Sequence, residues 1–230
     1  MAGLPENLFK NPWWHALQTR HRHLAISAGD ACRYPGDVVP FAAVKTPEPA
    51  ALQHLRSLLA PGESVWIAGK GPVPEADLEC LQMALAEDIT PPQPDRELIP
   101  LTVADAPEMV ALTTLAFPGY FRIRTIEMGQ YYGVRSGGQL IAMGGERLAL
   151  DGYTEISAVC THPDHRGKGY AQSIMWQLAR KHRREGQVSW LHVGAANHYA
   201  IKMYRRMGFQ VAHEVTLHQI SAPPPISSET

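Results

Sequence analysis

Cysteine is scarce in this sequence: Cys32, Cys80 and Cys160 are all there is in 230 residues. An odd number, without paired spacing and without a metal-ligand cluster, excludes a disulfide framework and suits a reducing compartment. Net charge is lacking too, since 21 Lys and Arg stand against 22 Asp and Glu. No global field therefore draws the chain to nucleic acid or to an acidic membrane surface. No apolar run is long enough to cross a bilayer, and residues 1–10 are broken by Pro5, Glu6 and Asn7 where a secretory leader needs continuous apolar residues. Repeats of solenoid period are also missing. What remains is a soluble chain, expected in the cytoplasm, whose 45% hydrophobic content suffices for one good-sized core or two smaller ones.

Proline, by contrast, is concentrated. Pro91, Pro92, Pro94 and Pro100 crowd one stretch and forbid regular helix or central strand there. The expected organisation is an N-terminal α/β domain over 1–90, a Pro-rich linker over 91–100, a second domain over 101–220 and a flexible tail over 221–230 that holds Pro223, Pro224 and Pro225. The first domain reads as a helix at 14–23, an apolar run at 38–44, a helix at 49–60, a strand at 64–68 and an amphipathic stretch at 78–86. In the second, 105–117 reads as helix, and 131–135, 139–148 and 153–160 read as strands, with Gly137-Gly138 as a hairpin turn. From Tyr170, the residues Ala171, Ile174, Met175, Leu178 and Ala179 recur at the spacing of one buried helical face. That helix ends in Arg180, Lys181, His182, Arg183 and Arg184 before Gly186, cations that complement its C-terminal dipole. A strand at 188–193, a helix at 197–207 and a closing strand at 209–220 complete the reading. The fold class is α/β, a mixed sheet flanked by helices.

The chemistry concentrates where the strand at 153–160 passes into Arg166-Gly167-Lys168-Gly169-Tyr170-Ala171 and the long helix. Glycines let backbone amides converge on a ligand, and a helix N-terminus presents unpaired N–H groups carrying roughly half a positive charge. Such a turn takes an anion, and Arg166 and Lys168 add formal charge. The Walker and dinucleotide patterns both fail on spacing.

The pattern that does fit is Arg/Gln-x-x-Gly-x-Gly/Ala, met by Arg166, Gly169 and Ala171. A second element, Asn-x-x-Ala-x-x-x-Tyr-x-x-x-Gly-Phe, is met by Asn197, Ala200, Tyr204, Gly208 and Phe209. With both in order, the chain resembles the GNAT superfamily of acyl-CoA N-acyltransferases over about 98–220, and the N-terminal domain would then be a degenerate GNAT-like half, a cap or a dimerisation segment. The resemblance implies a GNAT fold, acetyl-CoA as acyl donor without a metal, and direct attack by an amine in a ternary complex. Residues 166–171 would cradle the pyrophosphate, Asn197 would cap its helix and touch the cofactor, and backbone groups of Val159, Cys160 and Thr161 would meet the pantetheine arm.

A lysine-like amine, with pKa about 10.4, costs about 4 to 5 kcal/mol to present neutral at pH 7, so a general base is expected. Glu155 lies at the register where several family members carry a catalytic glutamate; its alternative is to pair with a cation on a neighbouring strand. His192, on the next strand, is the second candidate or a packing residue, and Glu146 a third. The resemblance gives Tyr204 the departing thiolate; full proton transfer from an ordinary phenol is uphill by roughly 2 kcal/mol, so charge stabilisation is favoured. Cys160 reads as packing rather than nucleophile.

Acceptor residues are expected at Phe117, Tyr120, Phe121 and Arg124, which suit a small amine with an apolar part and a carboxylate, such as an amino acid. His21-x-His23 and His162-x-x-His165 lack a third metal ligand. The implied partners are acetyl-CoA and a small amine, in a monomer or homodimer. The competing reading is a non-catalytic acyl-CoA sensor or scaffold.

Overall fold

A computed structural model of the chain describes residues 5–69 and 77–222; most of the expected tail, 223–230, lies outside the described residues. The first elements are α1 (Glu6–Phe9), α2 (Pro12–Gln18), β1 (Ile26–Ala28), β2 (Ala31–Arg33), β3 (Ala42–Val44), α3 (Pro49–Ser57), β4 (Ser64–Ala68) and β5 (Asp77–Leu85). Pro12 and Pro49 each open a helix, where the missing N–H costs nothing. The helix expected at 14–23 stops sooner, with Thr19 outside helical geometry, and a short 3-10 turn at Arg22–Leu24 follows.

The last of the crowded prolines, Pro100, lies inside β6 (Ile99–Leu101), an edge strand of the sheet, so the expected linker over 91–100 ends in a strand. After it come α4 (Ala106–Ala116), β7 (Tyr131–Ser136), β8 (Gln139–Leu150), β9 (Tyr153–Thr161), α5 (Tyr170–Arg184), β10 (Val188–Gly194), α6 (His198–Arg206) and β11 (Phe209–Ser221). Gly137 and Gly138, at φ 57° and 86°, form the two-residue hairpin between β7 and β8, a turn that demands left-handed backbone. Ile174, Met175, Leu178 and Ala179 bury one face of α5, as their spacing requires. Burial of Ile174 or Leu178 contributes roughly 1.5 to 3 kcal/mol each.

One large sheet runs in the order β4-β11-β5-β10-β9-β8-β7-β6, antiparallel except for the β9–β10 pair. Strands from both sides of the Pro-rich stretch therefore share this sheet, and β5 lies between β10 and β11. The apolar stretch at 78–86, assigned by sequence to a separate N-terminal unit, is an interior strand of the same sheet as 188–194 and 209–221. β1, β2 and β3 form a small sheet that packs with α3, burying Val44, Leu52, Leu55 and Ile67. α5 and α6 cover one face of the large sheet over Met83, Ile156, Leu191 and Phe209. Phe9 and Trp13 from α1 and α2 cover the other over Leu148 and Trp190, and α4 continues that face over Met143 and Cys160.

The Pro-rich stretch runs along α5. Arg183 donates to the Ile89 carbonyl (2.7 Å), Arg180 to the Pro91 carbonyl (3.4 Å) and Ser173 to Asp95 (2.6 Å), in reverse order along the helix. The lengths match: about 20 Å of helix between 170 and 183, and roughly 22 Å for the extended segment from 89 to 96. No helix among the described residues is long and apolar enough to cross a membrane.

Candidate active site

β9 and β10 pair only briefly. Their parallel register covers Val188↔Tyr153, Ser189↔Thr154 and Trp190↔Glu155, and there it ends. In β9 the next turn of chain carries a bulge against β8, between the pairs Gly145↔Ser157 and Met143↔Cys160, where Ala158 takes φ 54°. A left-handed alanine costs on the order of 1 kcal/mol or more and persists only where the surroundings impose it. Past this point β9 and β10 splay, and a pocket of about 260 Å³ opens, lined by Ser157, Ala158 and Val159 on one side and His192, Val193 and Gly194 on the other.

Groups from both faces of the sheet reach this pocket. Tyr204 comes from the α6 face, where its ring lies 6.0 Å from Phe209, and Asn197 caps the same helix by accepting from the Ala200 amide (3.1 Å). Burial pushes the Tyr204 phenol up to about 12. From the opposite face comes His192, whose ring stacks on Trp13 at 5.4 Å and meets Trp190 edge-on at 4.9 Å. Its Nδ1 donates to Glu155 Oε1 (2.8 Å), which leaves the Nε2 lone pair to accept from the Gln82 side-chain amide (3.1 Å).

Glu155 itself is fully buried and does not line the pocket. Both its oxygens are engaged: Arg147 donates through Nε at 2.9 Å and through Nη2 at 2.5 Å, beside the bond from His192. Burial alone would raise its pKa, but the charge of Arg147 and the bonds from His192 and Arg147 hold it at about 2. Glu155 is thus a buried carboxylate that pairs with a cation on the neighbouring strand and bonds a histidine, the alternative to its reading as a base. Glu146 lies elsewhere, bonded to His182 (3.0 Å), Lys181 (2.8 Å) and the Gln130 amide (2.9 Å), and is absent from the pocket lining.

Of the expected acceptor residues, Phe117, Tyr120 and Phe121 line the pocket. Arg124 does not: it forms ion pairs with Glu127 (2.7 Å) and Asp37 (3.2 Å) outside it. The guanidinium in the pocket wall is that of Arg147, which also lies over the Phe41 ring at 4.8 Å. Cys160 packs in the core beneath α4, where burial pushes its thiol up to about 12, unsuited to a nucleophile.

At the other end of β9, the Thr161 carbonyl accepts from Arg166 Nε (3.3 Å), Gly167 and Gly169 hold φ 76° and 79°, and Gly169 is the N-cap of α5. Nothing stands within 4 Å of the space a Cβ on Gly167 would occupy. Lys168 is exposed, and Tyr170 and Ala171 begin the helix, whose first amides have no partner within it. This turn fits a pyrophosphate: open backbone donors, a helix N-terminus and flanking cations converge without a carboxylate inside the turn itself. Among the described residues, no group of three His, Cys, Asp or Glu could hold a metal ion.

Sequence reasoning missed Phe41, Leu78 and Cys80, pocket residues from before the prolines, and also Trp13, Gln82 and Arg147. It missed Arg96 as well, which lies 4.7 Å over the Tyr170 ring and is bonded to Asp95 (3.0 Å). For Arg147 a signal existed, the one cation on a largely apolar strand; for the others, separation along the chain hid the contact.

The family model described as FR47-like protein matches residues 131–217. A GNAT-family protein from Novosphingobium aromaticivorans DSM 12444 is similar over 92% of this chain and 96% of its own, with 31% identity and a TM-score of 0.81. The GCN5-related N-acetyltransferase from Kribbella flavida shares the fold over 100% of this chain and 99% of its own, with 16% identity and a TM-score of 0.60. A comparison with curated proteins gave no match. With the fold, the glycine turn and this similarity together, the chain belongs to the GNAT superfamily of acyl-CoA N-acyltransferases.

Proposed function

We propose that the protein is an N-acetyltransferase that moves the acetyl group of acetyl-CoA to the amine of a small molecule by direct attack in a ternary complex. The observation that carries this reading is the meeting of Tyr204 and His192 from opposite faces of the sheet in one pocket, where β9 and β10 part. Bound acetyl-CoA supplies the thioester carbonyl and the sulfur leaving group. Residues 166–171 bind its pyrophosphate through backbone amides and the side chains of Arg166 and Lys168, and the free backbone edge of Val159, Cys160 and Thr161 meets its pantetheine arm.

The reaction forms a C–N bond, breaks a C–S bond and releases one proton from the amine. His192, which lines the pocket, takes that proton in this reading once the Gln82 amide releases its Nε2. Glu155 accepts from Nδ1 and so directs basicity to Nε2, where the Gln82 amide now donates. Glu155 is a positioning residue here, not the base, because its oxygens are engaged and its pKa is held low. Tyr204 stabilises the departing sulfur by donating a hydrogen bond while keeping its proton. Burial raises the phenol to about 12, and the thiol in the same pocket is raised by the same cause, so full proton transfer stays uphill, by roughly 2 kcal/mol for the unperturbed groups.

The test combines calorimetric binding of acetyl-CoA with turnover across an amine panel, on the full chain and on Tyr204→Phe. Tyr204→Phe is expected to lower kcat about 100-fold with acetyl-CoA affinity nearly unchanged. An unchanged rate removes Tyr204 from the chemistry. Tight acetyl-CoA binding without transfer to any amine leaves a sensor rather than an enzyme, and no binding at all defeats both.

A further inference from the structure

The acetyl-transfer reading leaves the acceptor unnamed, and the pocket wall narrows it. About 260 Å³, part of which the thioester end of the cofactor shares beside Val159 and Tyr204, is below the usual range for drug-sized ligands and has room for a single ring on a short arm. Phe41, Phe117, Tyr120 and Phe121 make the wall aromatic, and Tyr120, Phe41, Trp13 and His192 form a continuous stack with centroid steps of 6.2, 4.9 and 5.4 Å. Such a wall suits an aromatic ring.

Charge bookkeeping decides the rest. The cation in the wall, Arg147, is already bonded twice by Glu155, and Arg124 is held outside by Asp37 and Glu127. A substrate carboxylate would lose its water and face a pair whose charge is already balanced, with only the Nη1 donors of Arg147 left to meet it and no unpaired positive charge to compensate it. A neutral oxygen meets a different partner. Tyr131 lines the pocket, is fully buried, packs edge-on to Phe121 at 5.7 Å, and its hydroxyl has no hydrogen-bond partner. Buried hydroxyls are nearly always satisfied, and an orphan in a ligand pocket marks a place for a ligand's own polar group.

We propose that the acceptor is a small aromatic primary amine that bears a neutral ring hydroxyl, paired with Tyr131, and no carboxylate. This rests on the acetyl-transfer reading. The probes are tyramine, 2-phenylethylamine, L-tyrosine and spermidine with saturating acetyl-CoA and the full chain. The expected order in kcat/KM puts tyramine about tenfold above 2-phenylethylamine, the effect of one hydrogen bond, and further above L-tyrosine and spermidine. Tyr131→Phe should bring the tyramine to 2-phenylethylamine ratio to about one. Because the hydroxyl has no protein partner, this variant keeps its fold, which its melting temperature checks.

Preference for L-tyrosine or spermidine over tyramine overturns the proposal, as does an equal loss on both aromatic amines in Tyr131→Phe. Acetyl-CoA that binds without transfer to any probe or any other amine is a separate failure, that of the transfer reading itself.

Discussion

Glu155 carries a fully buried carboxylate, and Arg147 makes that tolerable. Replacing one member of a buried ion pair leaves the other uncompensated, so Glu155→Gln should destabilise the protein by about 3 to 5 kcal/mol in denaturant unfolding. It should also loosen His192 and lower kcat. The sign of the pH dependence follows from the lowered pKa. The pair's stabilisation is fully present above the ordinary value of 4.5 and is lost as pH falls toward about 2. Wild-type melting temperature should therefore fall across that window more steeply than that of Glu155→Gln, and parallel curves would refute the assignment. From sequence, Glu155 could be a base or an ion-pair partner, and nothing local decided between them. Its partner is eight residues away across a hairpin, and the histidine it bonds is covered by Trp13 of α2, from the other end of the chain.

At the scale of elements, α5 was the most legible piece of the chain. Its apolar face, basic end and glycine-rich start all stand in a single stretch of sequence. The Pro-rich stretch was not legible in the same way, because prolines exclude helix and central strand without saying what the extended chain lies against. Tied along α5 by Arg183, Arg180 and Ser173, it delivers Arg96 to the glycine turn, with Nη2 3.6 Å from where a Cβ on Gly169 would stand. Asp95 engages Nε and Nη2 of Arg96, and no bond to Asp95 is made by Nη1, which we predict donates to a phosphate of bound acetyl-CoA. Arg96→Ala is expected to raise the KM for acetyl-CoA up to about fivefold, the scale of one half-exposed charge contact. The same variant should be indifferent to S-acetyl-N-acetylcysteamine, which has the thioester but no phosphates. An equal effect on both donors would show that Arg96 acts through the fold instead.

At the scale of the whole molecule, β5 decides what can fold by itself. It pairs with β10 on one edge and β11 on the other, so the region over 98–222 alone would leave two strands with a missing neighbour and expose the apolar side chains that Met83 and Leu85 cover. We predict that a fragment spanning 98–222 does not give a cooperative unfolding transition, whereas the full chain does. A well-folded, acetyl-CoA-binding fragment would restore the two-domain division. The pocket depends on the same arrangement, since Phe41, Leu78 and Cys80 reach it from the N-terminal part.

The sequence by itself determined the strands and helices after residue 104, the glycine-rich turn ahead of α5 and the family, because periodicity, glycine at left-handed backbone and spaced motifs are written in contiguous residues. Tertiary structure alone decided that the N-terminal part completes the sheet, that Arg147 and not Arg124 enters the pocket, and that His192 rather than Glu155 faces it. Those are outcomes of strand order and ion pairing between distant segments, and strand order is set by which apolar faces meet in the folded chain.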